Sequence, residues 1–235
     1  MALTAVFAYF FINYKNFIPN KEENQGQTKN EITVEDKKIT DDTKPFKIDI
    51  TYPYIAESSE FNQKVNSIVD EELNNFKTNS LENDNAVKKI DPESYAKYPR
   101  QYDFYVKYAK GQADENVISA VLEIYSFTGG AHGATNFIPI NYSQKNNKEI
   151  KLADIFSGQE DYVKKISDFC IKNLTEQITA GAGSIEGTWI EDGAGPKEEN
   201  FSIFLINQNS ITFYFPQYQV APYALGEFRV IMPVK

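Results

Sequence analysis

Alternation of apolar and polar residues predicts strands along much of the chain. Between residues 46 and 52 (FKIDITY) every second residue is apolar, as on a strand with one buried face. Turn residues at 111–116 and 207–210 separate neighbouring runs, which indicates hairpins. The further predicted strands cover residues 102–108, 117–127, 135–142, 201–206, 211–215 and 226–234.

Apolar residues three and four positions apart predict two amphipathic helices. The first helix spans residues 60–77, with Ser58 or Ser59 as its N-cap. Its apolar face consists of Phe61, Val65, Ile68, Val69, Leu73 and Phe76. The second helix is preceded by Ser157 and Glu160, which have the spacing of a capping box. Its apolar face consists of Val163, Ile166, Cys170, Leu174 and Ile178.

The order of these elements predicts an α+β fold with two small subdomains, in which mainly antiparallel sheets are each packed by a helix. We place the first subdomain at residues 45–145 and the second at 146–235. Residues 81–100 are polar and contain two prolines, which favours an irregular surface insertion. Residues 182–200, rich in glycine and acids, connect the second helix to the last strands.

The N-terminal residues differ in composition from the rest of the chain. Residues 1–12 (MALTAVFAYFFI) carry no charge, but a membrane-crossing helix needs about 20 residues. We therefore predict a partial membrane anchor or signal segment at residues 1–17, the alternative being an apolar helix packed on the domain. Residues 18–44 are polar and are predicted to be a flexible stalk. This order indicates an extracytoplasmic protein, membrane-anchored or secreted, that contacts the membrane through its N-terminal segment only.

Charge and cysteine content limit the partners. There are 24 Lys and Arg against 33 Asp and Glu, a net charge of -9, which disfavours nucleic acid as a partner and is compatible with a basic protein. Cys170 is the only cysteine, so an intrachain disulfide and a multi-cysteine metal site are excluded. Its position on an apolar helix face predicts a buried structural thiol.

The sequence offers no convincing catalytic constellation. A single histidine, His132, excludes a metal site built from two histidines of this chain. His132 lies among glycines, where three roles are open: a general base, a ligand contact, or a hydrogen bond that stabilises a turn. Glu186, Glu191 and Asp192 are close in sequence, but this does not establish a carboxylate pair across a cleft. We predict that the chain is not an enzyme and binds neither metal nor cofactor.

The stretch 213–226 (FYFPQYQVAPYALG) is rich in aromatic residues and proline. Pro216 and Pro222 stiffen the connection, while Tyr218 and Tyr223 combine an apolar ring with a polar tip. Rigid tyrosines lose little conformational entropy on binding, which suits a contact surface. The alternative is an aromatic corner that only packs the domain.

Two motifs carry a resemblance to known families. Residues 129–133 (GGAHG), followed by the pattern F-x-x-Y-x-V-A-P-Y-A-x-G at residues 215–226, resemble RsiV-like C-terminal domains. Residues 46–142 resemble the domain that precedes the catalytic unit in PdaC-type deacetylases. The resemblance implies an α+β fold displayed outside the membrane, which in RsiV-type proteins acts as a receptor for lysozyme.

The resemblance also implies a function and contact residues. Pro222 and Tyr223 match a loop expected to face a partner, and His132 matches the glycine-rich turn. With Tyr218 they form the predicted binding set of a membrane-tethered binding or sensor module. Its expected ligand is a lysozyme-like protein or a cell-wall glycan such as peptidoglycan. The alternative is a cell-wall-acting hydrolase or an accessory domain of a peptidoglycan-modifying enzyme.

Overall fold

A computed structural model describes residues 31–98, 100–183 and 187–234, apart from the side chain of residue 182. The predicted anchor at residues 1–17 and the first part of the predicted stalk lie outside the described residues. Among the helices that are described, none combines the length and the apolar character needed to span a bilayer.

The first sheet has six strands in the order of the chain. The pair β2 and β3 is parallel, whereas all other neighbouring strands are antiparallel. The strands are β1 (Glu35–Asp41), β2 (Phe46–Tyr54), β3 (Tyr102–Ala113), β4 (Val117–Phe127), β5 (Ala134–Ser143) and β6 (Lys148–Glu149). Because β6 pairs with β5, this sheet extends past the predicted boundary at residues 145 and 146.

One long helix connects the parallel strands and packs on one face of the sheet. This helix, α1 (Ser59–Ile90), is followed by the short α2 (Pro92–Lys97). The predicted helix at residues 60–77 is confirmed, and its buried apolar residues belong to the same core as β2, β3 and β4. A parallel pair requires a crossover connection, which α1 supplies.

The predicted irregular insertion at residues 81–100 is wrong, because α1 continues to Ile90. The last turns are exposed and need few apolar residues; Leu81, for example, is 46% exposed. Asp84 fastens this end, since its carboxylate accepts hydrogen bonds from the hydroxyl groups of Tyr95 (2.5 Å) and Tyr102 (2.9 Å). The apolar pattern of the sequence does not predict this extension, because a helix that is surrounded by solvent has no apolar face.

The predicted flexible stalk is also wrong where the structure describes it. Residues 35–41 form β1, an edge strand paired with β2 in the register Ile39 to Ile50. Asp36 accepts a hydrogen bond from the Tyr108 hydroxyl at 2.7 Å. Backbone hydrogen bonds to β2 hold this segment although its side chains are mostly polar, and composition does not reveal such pairing.

The second unit packs one long helix on a small antiparallel sheet. Its helices are α3 (Leu152–Ile155), α4 (Tyr162–Ala182) and α5 (Trp189–Ala194), and its strands, in sheet order, are β7 (Phe204–Ile206), β8 (Ser210–Phe215) and β9 (Phe228–Pro233). Ile166, Cys170, Leu174 and Ile178 of α4 are buried against the strands. The helix begins at Tyr162, and no side chain caps it, so the capping box expected from Ser157 does not form.

These elements confirm the predicted α+β class, with two sheets that are each packed by a helix. The prediction of mainly antiparallel sheets holds for the second sheet in full, whereas the first is mixed because of the β2 and β3 pair.

The two units share a small apolar contact. Val121 and Phe137, on the outer face of the first sheet, are buried together with Leu205 and Tyr214 of the second. Gly111 permits this approach, because a Cβ atom there would lie 2.9 Å from Leu205 Cδ1 and would collide with the Ile206 carbonyl. The second unit therefore covers part of the face of the first sheet that is opposite to α1.

A buried polar pair lies beside that apolar contact. Asn141 is 3% exposed and Ser119 is 1% exposed. The Asn141 side chain accepts a hydrogen bond from Ser119 Oγ (2.6 Å) and donates one to the Phe204 carbonyl (2.9 Å). Ser119 Oγ in turn accepts a hydrogen bond from the Ile206 amide at 2.8 Å. Side chains of the first unit thus form hydrogen bonds with backbone groups of β7. These hydrogen bonds join the two units.

Replacing Asn141 tests this junction. We expect Asn141→Ala to lower the free energy of unfolding by about 1–3 kcal/mol, because it leaves the Phe204 carbonyl and the Ser119 hydroxyl without their partner. Urea denaturation measures the change. The matched control is Asn136→Ala, an exposed asparagine on the same strand, which should leave stability within about 0.5 kcal/mol. Equal stability of the two variants would contradict a role of Asn141 in the junction.

The single thiol offers a second test. Cys170 is fully buried, and burial raises its pKa to about 12 because the thiolate is disfavoured in an apolar core. We expect a thiol reagent such as Ellman's reagent to leave the folded protein unlabelled at pH 8 and to label it completely in guanidinium chloride. The variant Cys170→Ser supplies the background signal. Rapid labelling of the folded protein would show that the α4 face is accessible.

Candidate functional site

The structure brings three of the four predicted contact residues together. His132 lies between β4 and β5 of the first unit, whereas Tyr218 and Tyr223 lie between β8 and β9 of the second. The rings of His132 and Tyr223 are stacked, with centroids 4.1 Å apart and planes inclined at 28°. The rings of Tyr223 and Tyr218 are 5.5 Å apart. We call these three residues the ring cluster.

Pro222 has a different place from the ring cluster. It is exposed, and it precedes a single 3-10 turn (Tyr223–Leu225) whose Leu225 amide donates to the Pro222 carbonyl at 3.0 Å. Its fixed backbone therefore sets the start of the turn that carries Tyr223. Direct contact between Pro222 and a ligand stays a prediction.

Buried neighbours hold the loop that presents the two tyrosines. Val220 and Ala221 are each 1% exposed and belong to the core of the second unit. The Gln219 side chain donates hydrogen bonds to the carbonyls of Gly193 (2.8 Å) and Asn200 (2.9 Å). Tyr218, by contrast, is 55% exposed. Val220 and Ala221 thus hold this loop in the core, while Tyr218 is exposed to solvent.

The glycine-rich turn that carries His132 is held by a contact with α1. Gly129 and Gly130 have φ values of +107° and +97°, which L side chains rarely adopt. The side-chain amide of Asn83, on α1, donates to the Thr128 carbonyl at 2.9 Å. The glycines allow the shape of the turn that carries His132, and the hydrogen bond from Asn83 ties this turn to α1.

The Gly133 carbonyl connects the two loops. It accepts a hydrogen bond from the Tyr223 hydroxyl at 3.1 Å, and His132 Nδ1 lies 3.0 Å from the same oxygen. Because a carbonyl oxygen only accepts, we assign the hydrogen of a neutral His132 ring to Nδ1, which leaves Nε2 as an acceptor. The side chain of His132 is exposed, so it combines the structural hydrogen bond and the accessible surface that the sequence left as alternatives.

Tyr125 and Tyr105, which lie beside the ring cluster, were not among the predicted contact residues. A Cβ atom at Gly133 would lie 2.6 Å from Tyr125 Cε2, so the Gly133 backbone rests against the Tyr125 ring. Tyr125 stacks on its cross-strand partner Tyr105 at 5.8 Å and 14°. Burial raises the pKa of both phenols, and the charge of Asp103 adds to this effect, so both stay protonated at neutral pH. The available signal was Tyr105 itself, an aromatic residue between Asp103 and Lys107 on the polar face of a predicted strand.

Charged groups of both signs border these rings. Lys47 Nζ lies 5.9 Å from the centroid of the Tyr105 ring. Glu123 forms ion pairs with Lys107 (2.7 Å) and with Arg229 of β9 (3.1 Å). The Arg229 guanidinium also lies 5.0 Å from the Tyr214 ring centroid, within the range of a cation–π contact. The surface therefore offers aromatic faces with donors and acceptors at its border.

The part of the chain that the structure describes contains no cluster of side chains suited to binding a metal ion. In residues 31–98, 100–183 and 187–234, no three His, Cys, Asp or Glu side chains are placed to hold a metal ion. Glu191 and Asp192 are exposed on α5, and Asp192 accepts a hydrogen bond from the Thr188 hydroxyl at 2.5 Å. Glu186, the third acid named with them, is outside the described residues. What the arrangement supplies is ring stacking and hydrogen bonding.

Comparison with known protein families finds one match in each half of the chain. The family model "Deacetylase PdaC" matches residues 39–135, and the model "Protein of unknown function (DUF3298)" matches residues 153–235. The peptidoglycan-N-acetylmuramic acid deacetylase PdaC of Bacillus subtilis (strain 168) is 28% identical over 221 residues, covering 93% of this chain and 44% of that protein. Esterase Rv3036c of Mycobacterium tuberculosis (strain ATCC 25618 / H37Rv) is 24% identical over 127 residues, covering 54% of this chain and 53% of that protein. The chain thus spans about half the length of these relatives.

Two crystal structures of DUF3298 family proteins share the fold. The Bacteroides fragilis NCTC 9343 protein BF2082 superposes with a TM-score of 0.58 at 19% identity, covering 88% of this chain and 92% of the other. The Pseudomonas aeruginosa PAO1 protein PA4972 gives 0.53 at 14% identity, covering 86% and 90%. The predicted order of two different family domains agrees with these matches, but the GGAHG motif at residues 129–133, which carried part of the C-terminal resemblance, lies within the PdaC match. Residues 39–135 match the PdaC family model and residues 153–235 match the DUF3298 family model, so the chain combines a match to each of the two families.

Proposed function

We propose that this chain is an extracytoplasmic, membrane-tethered binding or sensor module of the cell envelope, which recognises its ligand through the ring cluster. One observation carries the proposal: His132 from the first domain and Tyr218 and Tyr223 from the second meet on one accessible surface. The relation to a peptidoglycan deacetylase supports a cell-wall context. The location rests on the apolar segment at residues 1–12 and on the resemblance stated above.

The ring cluster has the properties of a preorganised contact surface. The Tyr223 hydroxyl is already bound to the Gly133 carbonyl, and Pro222 restricts the backbone before it. A ligand that stacks on these rings therefore immobilises few additional torsions, and more of the contact energy appears as affinity. Nε2 of the exposed residue His132 adds a directional acceptor for a hydroxyl or amide group.

Two ligands are consistent with this surface. A cell-wall glycan is supported by the name of the Bacillus subtilis relative. A basic protein of the lysozyme type is supported by the net charge of -9, which would accelerate encounter with a cationic partner. Pulldown on insoluble peptidoglycan and on immobilised lysozyme separates the two.

A catalytic role is the second candidate, because the two relatives are named as a deacetylase and an esterase. In that case the chain would be a cell-wall-acting hydrolase or an accessory domain of a peptidoglycan-modifying enzyme. Release of acetate or sugar from peptidoglycan by the purified chain, lost on replacement of a carboxylate, would favour this role over binding alone.

Tyr223→Ala tests the binding proposal. The variant removes the ring between His132 and Tyr218, and we expect affinity for the captured ligand to fall about tenfold or more, as for a central aromatic contact. Isothermal titration calorimetry measures the affinity, and thermal unfolding shows whether the domain remains folded.

The matched variant for this test is Tyr223→Phe. It keeps the ring and removes only the hydrogen bond to the Gly133 carbonyl, so it should retain most of the affinity. If Tyr223→Ala binds as tightly as the unmodified protein while remaining folded, the ring cluster has only a packing role and the proposal fails.

A further inference from the structure

The last three turns of α1 carry a helix face that is exposed to solvent. No residue of the helix between positions 81 and 90 is buried. Asp84 and Asn83 form hydrogen bonds with other elements, so their side of the helix faces the body of the protein. At about 3.6 residues per turn, the opposite side of the helix presents four exposed residues. These residues, which we call the α1 face, are Glu82, Asn85, Ala86 and Lys89.

Two exposed apolar side chains border the α1 face. Ile90 is 84% exposed and Leu81 is 46% exposed. Ile90 and the four residues of the α1 face line one surface depression. Covering apolar surface is favourable by about 25 cal/mol per Å². The end of α1 therefore gains stability when another helix covers this face.

We propose that the α1 face binds the α1 face of a second copy of this chain, as an antiparallel helix pair with a two-fold axis between residues 85 and 86. Such an interface uses the same patch on both copies, so the patch has to be complementary to itself. The inference concerns the association of the chain and does not depend on the ligand of the ring cluster.

The charges of the α1 face carry the proposal. Glu82 lies as far before the proposed axis as Lys89 lies after it, so Glu82 of each copy faces Lys89 of the other. Two equivalent ion pairs result. Among the residues that the structure describes, neither side chain has an ion pair within its own chain. A parallel pair would instead bring like charges together at both positions, which is unfavourable.

The remaining side chains suit a close contact. Asn85 and Ala86 lie at the crossing point, where short side chains allow helix axes to approach to about 8–10 Å. Leu81 of one copy is level with Ile90 of the other, so each end of the contact has two apolar side chains. The paired segment is about 15 Å long. The contact is therefore smaller than a standard interface of roughly 1,600 Å², and we expect a weak, reversible dimer.

The pairing also affects the ring cluster. Asn83, next to Glu82, donates a hydrogen bond to the Thr128 carbonyl in the turn that carries His132. In the dimer the two His132 turns therefore lie on either side of one two-fold axis. A ligand with repeated binding sites then meets two ring clusters at once, which raises avidity without a new contact. This consequence alone rests on the proposed binding function.

Charge reversal tests the α1 face. We expect sedimentation velocity of the 235-residue chain at low salt to show a dimer as the concentration rises to the millimolar range. Glu82→Lys and Lys89→Glu should each weaken the dimer about tenfold or more, because two attractive pairs become repulsive. The variant that combines both changes should restore the dimer. Glu71→Lys, at an exposed acid on α1 outside the α1 face, is the matched control and should have no effect.

A cysteine at the crossing point tests the pairing without changing a charge. Residue 86 of each copy lies next to the axis, so Ala86→Cys should form an intermolecular disulfide on mild oxidation. Gln63→Cys, at another exposed position of α1, should form far less. Cys170 is buried in both variants and adds no background to the folded protein.

Three results would overturn the inference. The first is a monomer at every concentration. The second is a dimer that neither single reversal weakens, because residues 1–12 or another surface would then cause the association. The third is a combined variant that stays monomeric while its circular dichroism spectrum is unchanged, because the antiparallel pairing would then be wrong. None of these results affects ligand binding by the ring cluster, which Tyr223→Ala tests separately.

Discussion

The buried hydrogen bonds between Asn141, Ser119 and the backbone of β7 are the constraint on which the rest of the structure depends. The ring cluster draws residues from two domains with separate cores, so its geometry exists only while these domains keep one relative position. An apolar contact alone tolerates sliding, because dispersion and the hydrophobic effect are not directional. Hydrogen bonds to the Phe204 carbonyl and the Ile206 amide are directional, and they specify the register of one sheet against the other.

Two glycines make close contacts possible, one between the domains and one within the first domain. Gly111 leaves space for Leu205 and the Ile206 backbone, and Gly133 leaves space for the Tyr125 ring. At each position a side chain would have to displace a neighbour from the other domain or from the adjacent strand. The GGAHG motif, which the sequence indicates as a turn, also places the Gly133 carbonyl within hydrogen-bond distance of the Tyr223 hydroxyl.

The sequence contained enough information for the elements with a clear apolar period. The helix at residues 60–77, the hairpins and the α+β class follow from periods of 3.6 and 2, which report burial directly. The strand β1 and the end of α1 were not predicted, because their side chains lie in solvent and show no apolar period. Their structure depends on backbone hydrogen bonds instead. Polar composition then resembles that of a linker, although β1 pairs with β2 from Glu35 to Asp41.

The site was only partly predictable for a related reason. His132, Tyr218 and Tyr223 were recognisable from motifs, but their contact spans a sequence separation that no local pattern encodes. Tyr105 and Tyr125 depend on the strand register, which sets the face on which each ring lies. The register shows that these tyrosines lie on the polar face of the sheet, where an aromatic residue is unusual. The sequence alone does not distinguish them from the other aromatic residues.

The burial of Cys170 has a consequence for how the protein matures. Because its single thiol is enclosed by the second core, no intrachain disulfide forms in reducing or in oxidising surroundings. Disulfide formation is therefore not a step of folding, which needs neither an oxidant nor a disulfide isomerase and does not depend on the glutathione poise of the compartment. Stability comes from packing, hydrogen bonds and ion pairs, and no disulfide contributes to it.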